Sequence, residues 1–402
     1  MIAFVDIRVV ALLVLGLAAA STHASPWQGE VSAQARWFVQ PAADPRQTNG
    51  DLSLAGKLQF SEEFDQRRQR FAFSIAGRID SQDGERSQFD IGELNWRYRW
   101  SNAELTIGLD KVFWGVTEAL HLVDIVNQTN RVDSPDGESK LGQPMIRLAF
   151  NRQWGELEFF VLPGFREQRL PGSAGRLRGP LQLIADEARY ETNREQGHVD
   201  LAFRYQHFIG NIEFAISHFA GLERTPLLQL DRVGATPVLT PFYFLTDQTG
   251  LELTMVTGSW LWKLESVSKR DDQQRYFAAT GGFEWTASNV FGTGADIGII
   301  AEYQYDGRDA SRLLQSVAIA DDDIVLGARV SVNDFANTEW LLLHGFDRNS
   351  RGRVTSVEGS RRLGQRWRLS LEARFFSSQS PMDVLSIFDN EDYWQLELTR
   401  YF

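Results

Sequence analysis

The 402-residue sequence predicts an all-β protein, a single transmembrane antiparallel β-barrel of about 18 strands with long extracellular loops and short periplasmic turns. Three observations predict it. Apolar and polar residues alternate with a period of two from residue 31 to residue 402, as strands with lipid on one face and water on the other must. The connections between these strands alternate between short and long. Finally, 12 Trp and 27 Phe accompany a negative mean hydropathy and no cysteine, which suits an apolar outside around a wet inside with no disulfide framework.

After a short start, Met1 to Ile7, Arg8 supplies a positive charge before an apolar run from Val9 to Ala20, too short for a permanent spanning helix. Thr22-His23-Ala24 then offers small residues for cleavage, so residues 1–24 read as a signal peptide and residues 25–402 as the barrel. The first strand is expected over Val31–Val39. Leu52–Phe60 follows, with Leu52, Leu54, Leu58 and Phe60 on one face and Ser53, Lys57 and Gln59 on the other. In the third, Phe71, Phe73, Ile75 and Ile79 alternate with Ala72, Ser74, Ala76 and Arg78.

The clearest hairpin sets Leu94, Trp96, Tyr98 and Trp100 against Glu93, Asn95, Arg97 and Arg99, turns at Ser101-Asn102, and returns with Leu105, Ile107 and Leu109 opposing Glu104, Thr106 and Asp110. Further strands are expected over Met145–Asn151, Glu156–Leu162, His198–Phe208, Ile212–Phe219, Gly250–Thr257, Trp260–Lys269, Tyr276–Thr286 and Gly294–Tyr305. Asp323–Ser331, Thr338–Asp347, Arg353–Arg362, Arg366–Phe376 and Asp392–Phe402 complete the set. The weakest patterns are Arg353–Arg362 and the turn around Ser61–Gln69; without them the count is about 16. If the first strand runs outward, Gly115–Pro144, Pro163–Gly197, Ala220–Thr249 and Asp306–Asp322 fall where long extracellular loops belong.

Parity also sorts the charges. An Arg or Lys facing hydrocarbon near the midplane costs about 2–4 kcal/mol, so Lys57, Arg78, Arg97, Arg99, Arg147, Arg204, Arg368 and Arg374 are assigned to the lumen, shared with Glu93, Glu104, Asp110, Asp200, Glu252, Glu302, Glu372 and Glu397. Facing ion pairs in a wet wall are the plain reading. The sharper one makes part of the arginine set a constriction that draws carboxylate-bearing solutes, matched by the planar guanidinium fork. The loop from Lys111 is too apolar for a solvated tip, since Leu120, Leu122, Val123, Ile125 and Val126 need burial. Folding it into the barrel mouth would make it a constriction loop, with Trp114, Gly115, Asp124 and Asn127 as its marked residues. Arg166, Arg169, Arg176 and Arg178 in the next loop could reach lipopolysaccharide phosphates or anionic solutes, or be scattered charge on a flexible loop.

The last ten residues, Tyr393 to Phe402, place Trp394, Leu396, Leu398 and Phe402 on one parity. This ending resembles the C-terminal sorting signal of bacterial outer-membrane barrels, in which a final Phe (here Phe402) is read by the barrel-assembly machinery. Trp114-Gly115 followed by Asp124 and Asn127, together with Pro381 to Leu385 and the closing strand, resembles porin-like outer-membrane channels near the alginate-export barrels. The resemblance implies a channel with an arginine-lined path; no individual binding residue is carried over from it.

Other classes fit less well. His121, His198, His207, His218 and His344 sit in no nucleophile motif, and the carboxylates show no spacing that singles out an acid and a base, so no enzyme activity is expected. No metal or cofactor is expected either: Asp133, Asp136 and Glu138 around Gly137 lack the spacing of a calcium loop. A net charge of −12 argues against nucleic acid. The few residues between Ser25 and the first strand leave no room for the plug of an energy-coupled receptor. The function expected is therefore passive diffusion of small hydrophilic, anionic solutes. Export of an anionic polysaccharide is the alternative, and transport of a hydrophobic ligand, which would need a lateral opening and an apolar lumen, is less favoured. The expected partners are the solute, outer-membrane lipid with lipopolysaccharide, and the assembly machinery; a homo-oligomer is left open because no strand declares an interface.

Overall fold

The computed structural model describes residues 26–270, 274–308, 320–380 and 383–402. The signal peptide expected over residues 1–24 lies outside the described residues, as do residues 309–319 of the loop expected between Asp306 and Asp322. The strands are β1 (Trp27–Phe38), β2 (Gly50–Phe64), β3 (Gln69–Asp80), β4 (Gln88–Arg99), β5 (Ala103–Asp110), β6 (Gln143–Arg152), β7 (Gly155–Pro163), β8 (Gln182–Leu183), β9 (Arg189–Tyr190), β10 (Val199–Ile209) and β11 (Ile212–Leu222). They continue as β12 (Leu227–Val233), β13 (Thr236–Tyr243), β14 (Leu245–Thr257), β15 (Trp260–Arg270), β16 (Arg275–Ala287), β17 (Asp296–Asp306), β18 (Asp322–Ser331), β19 (Glu339–Asp347), β20 (Arg353–Leu363), β21 (Trp367–Ser377) and β22 (Tyr393–Tyr401).

All but β8, β9, β12 and β13 belong to one 18-stranded sheet. It closes where β22 pairs with β1, from Phe38 opposite Tyr393 to Glu30 opposite Tyr401, and Gly29 and Phe402 then exchange backbone hydrogen bonds of 3.1 and 3.0 Å. A closed antiparallel ladder has no edge, so the backbone groups at membrane depth are paired within the sheet. Both weak patterns resolve in favour of 18 strands. β20 pairs on both sides, with β19 and β21. β2 runs on to Phe64, which shortens the uncertain turn to residues 65–68.

The pleat assigns the faces as the alternation requires. Leu52 is 65% exposed to the lipid side while its neighbour Ser53 is 7% exposed. Trp27, Trp100, Trp154, Trp260, Trp262, Trp285, Trp340 and Trp367 are partly exposed at the short-turn end, an aromatic girdle at one membrane interface. The apolar core sits on the inner wall instead of between layers: Met145, Phe160, Leu162, Ala202, Phe219, Val267 and Ala278 face inward and are covered by Trp114, Val123, Ile125 and Val126 of the loop between β5 and β6.

Several elements depart from the sequence reading: β1 starts four residues before Val31 and β14 five before Gly250. β4 starts five residues before Glu93, because the register against β3 shifts between Ser74 and Ile75 and leaves Gly92 as an extra residue. That bulge puts both Ile91 and Leu94 toward lipid and breaks the strict alternation. Within the stretch read as one loop from Ala220 to Thr249, β12 and β13 form a hairpin. β13 also pairs in parallel with the fragments β8 and β9. Pro237 and Pro241 on β13 mask it in sequence, since proline inside a run argues against a central strand.

Candidate functional site: a lumen crossed by a strap

The chain leaves β5 at Asp110 and does not reach β6 until Gln143. Residues 111–142 between them form a strap against the inner wall. Its base is stitched by Asn127, whose Nδ2 donates to Asp110 O at 3.0 Å and Leu141 O at 2.9 Å and whose Oδ1 accepts from Val112 N at 2.9 Å. Trp114 is 2% exposed and meets Phe160 edge-on at 5.7 Å. Gly115 has φ +139°, which a side chain rarely adopts, and an added Cβ there would lie 3.0 Å from His121 Nδ1 and 3.1 Å from Glu265 Oε1. Asp124 accepts from Trp114 N at 3.4 Å and pairs with Lys140 at 2.9 Å.

Beyond Gly115 the strap runs along the wall of β14, β15 and β17, where three inward carboxylates hold its backbone. Glu252 accepts from Gly115 N at 2.8 Å. Glu302 accepts from Glu118 N at 2.7 Å and Ala119 N at 3.0 Å. Glu265, fully buried, accepts from Val116 N, Thr117 N, Thr117 Oγ1 and Val123 N at 2.7, 3.0, 2.7 and 3.2 Å. Glu118 in turn reaches Lys263 at 3.3 Å and Arg329 at 2.7 Å. The returning limb contacts the opposite wall, Asp133 pairing with Arg78 of β3 at 3.0 Å and Asp136 with Arg374 of β21. A segment bonded to both sides of a barrel must cross its lumen.

Burial and partners set the charges of the strap. Burial lowers the His121 pKa, but Glu138 at 3.2 Å and Glu265 at 3.8 Å outweigh it and raise the ring to about 10, so it is an imidazolium at neutral pH. Burial raises the Asp124 carboxyl above its ordinary range although Lys140 opposes the shift. Burial acts the same way on Glu118, yet Arg329 and Lys263 hold it below the ordinary value.

Most of the remaining lumen charges form pairs. Arg147 meets Glu158 at 2.7 Å, and Glu158 lies across from Arg204, which reaches Glu252 at 2.9 Å. Arg204 spans the intervening β11 because the inward residues there, Ala215 and Ser217, are small. Arg97 and Arg99 share Glu104 at 3.2 and 3.0 Å, with Asp110 3.9 Å from Arg97. Arg374 also bonds Glu372 at 3.0 Å, while Arg368 donates to Ser360 Oγ at 2.8 Å. Lys57 stands opposite Glu30, and Glu93 opposite Ser74. The lumen candidates are thus spread around the wall, with Arg97, Arg99, Glu104 and Asp110 forming one cluster and Arg147 and Arg204 belonging to another. Glu265, Lys263 and Arg329 were not singled out from sequence. Their signal was present: each falls on the parity opposite an outward Trp, Leu or Ala in a recognised strand.

A second loop, residues 164–198, lies over the extracellular mouth. Arg176 grips Glu391 through Nε at 2.9 and 3.1 Å and stacks on the Phe38 ring at 4.2 Å, while Arg178 pairs with Asp44 at 2.7 Å. Arg166 bonds Asp90 and donates to Gly142 O at 2.9 Å. These three arginines are held by neighbouring loops and wall residues, in place of the outward reach toward phosphate considered from sequence. Among the described residues, Asp321, Asp323 and Asp347 are the one carboxylate trio close enough to share a cation. Asp133 and Asp136 turn to different arginines.

No protein-family model and no curated protein matches the chain in sequence. Solved structures match its fold. A BenF-like porin from Pseudomonas fluorescens Pf-5 superposes with a TM-score of 0.53 at 8% identity, over 94% of this chain and 98% of that one. OccK5 (OpdH) of Pseudomonas aeruginosa gives 0.53 at 11%, over 94% and 99%. Wzi of Escherichia coli, described as a carbohydrate-binding barrel involved in group 1 capsule assembly, gives 0.52 at 10%, over 98% and 88%. At these identities the likeness is one of fold. With its closed ladder, apolar outer belt and wet, ion-paired interior, the chain is an outer-membrane β-barrel of porin-like architecture, located in the bacterial outer membrane.

Proposed function

We propose that this barrel is a passive diffusion channel for small hydrophilic, anionic solutes, narrowed by the strap at residues 111–142. The observation that carries the reading is the strap, bonded to opposite walls and leaving charged residues of both signs along the path it narrows. Such a wall attracts a charged solute with its arginines and orients it across the lumen with the facing carboxylates. The unbroken ladder supplies no lateral opening between strands, which disfavours a hydrophobic-ligand route. Single-channel recording of the refolded barrel in planar bilayers under a salt gradient tests the reading. Steady conductance with a reversal potential favouring anions is expected, and Arg204→Ala should lower that preference. A folded barrel that leaves the bilayer sealed overturns the open channel.

The cap favours one other reading. Loop 164–198 is pinned over the mouth, as suits a conduit that opens only within an export assembly for an anionic polysaccharide. The relation to alginate-export barrels suggested by Trp114-Gly115, Asp124 and Asn127 belongs to this reading. A sealed bilayer that conducts once the cap is released would support it.

A further inference from the structure

Along most of the lumen each arginine meets a carboxylate, but at the periplasmic mouth this balance fails. Arg70 of β3 and Arg97 of β4 are direct cross-strand neighbours, and both point inward, because Phe71 and Trp96 beside them belong to the lipid-facing parity. Like charges directly opposite one another destabilise a sheet. Among the described residues Arg70 has no carboxylate within ion-pair distance and donates only to Ser61 Oγ at 2.8 Å. Glu63, opposite Arg70 in the register, is drawn instead to Arg67 at 3.6 Å. Arg97 and Arg99 divide Glu104 between them and Arg97 also reaches Asp110 at 3.9 Å on the deeper side, so these two carboxylates serve Arg97 and Arg99 and leave Arg70 without one. Between them is a space of about 100 Å³ lined by Glu63, Arg67, Arg68, Arg70, Arg97 and Arg99, large enough for several water-sized atoms. A second like-charge pair, Arg362 opposite Arg368, occurs on β20 and β21 at the same mouth.

We propose that Arg70, Arg97 and Arg99 form a binding site for the carboxylate group of a solute at the periplasmic end of the lumen. The volume admits one such group, and the remainder of the solute extends into the open lumen. Guanidinium forks on adjacent strands can each offer two parallel N–H donors to a carboxylate, which supplies the counter-charge missing from the wall. Because the site faces inward, its ligand comes from the aqueous path and not from lipid headgroups. This inference rests on the anionic-channel reading and adds to it a stage at which the solute is held.

The test is calorimetric titration of the full refolded barrel in detergent micelles with citrate as the probe, at low and high salt, alongside bilayer recording from the same preparation. Saturable citrate binding that weakens with salt is expected. Arg70→Gln and Arg97→Gln should each weaken it about tenfold or more, whereas Arg152→Gln, at an exposed strand end nearby, should not. In the absence of citrate Arg70→Gln should refold at least as well as the parent, since it removes a like-charge contact and no ion pair, whereas Arg97→Gln also gives up its pairs with Glu104 and Asp110. Absence of saturable binding, equal binding in both variants, or failure of both to refold would overturn the proposal. A barrel that conducts anions without binding citrate keeps the channel and loses the site; one that binds citrate at these arginines but does not conduct keeps the site and loses the channel.

Discussion

Glu265 illustrates how much one inward side chain decides. It lies mid-strand in β15 with four hydrogen-bond donors of the strap aimed at it and an imidazolium beside them. A buried carboxylate left unpaired would be costly, so the strap must sit where it supplies those donors. The coupling makes the strap sensitive to pH. His121 has a folded-state pKa of about 10, above its ordinary value near 6.5. Its stabilising contribution is therefore complete below about 6.5, declines as pH rises, and is lost once pH passes through about 10. Raising the pH from 7 to 10.5 should increase protease cleavage within residues 116–126, and His121→Gln should flatten that dependence; identical profiles for the two proteins would refute the role given to His121. At this scale the alternation already shows which residues face inward, but not which partner each meets. Arg204 finds Glu252 only because small residues on β11 leave the way clear.

At the level of the element, β16 and β17 show a local constraint that hydropathy does not reveal. A Cβ built on Gly282 would lie 1.9 Å from Ala301 O and 2.7 Å from Glu302 Cα, both backbone atoms that cannot swing aside. Gly282→Ala should therefore force the β16–β17 ladder apart around Glu302, which also anchors the strap, and the barrel should lose its compact, heat-modifiable band on gels. A variant that refolds with unchanged mobility and melting would show that the ladder tolerates the shift. Eighteen barrel strands were legible because each must alternate to separate lipid from water. The β12–β13 hairpin was not, because it stands outside the membrane, where no lipid enforces the pattern and two prolines interrupt it.

On the scale of the whole molecule, the barrel is a stiff wall carrying two separately attached pieces, the strap within and the cap above. The cap is held by contacts remote in sequence, chiefly Arg176 with Glu391, both almost fully buried. Removing one partner of a buried pair typically costs about 3–5 kcal/mol. That loss should fall on the cap, since the ladder is independent of it. Arg176→Ala is expected to expose residues 171–180 to added protease and to increase current fluctuations, while barrel melting changes little; protection equal to that of the parent would mean the cap is held elsewhere.

Alternation and composition are enough to specify the barrel, the strand faces and the need of residues 120–126 for burial, because a bilayer imposes a period of two on every strand and leaves no other home for buried leucine and valine. They do not determine where the strap lands, which carboxylates hold it, or that the arginines of the second loop turn inward to Glu391, Asp44 and Asp90. Those contacts join strands far apart in the chain. Only closure of the sheet brings them within hydrogen-bonding distance.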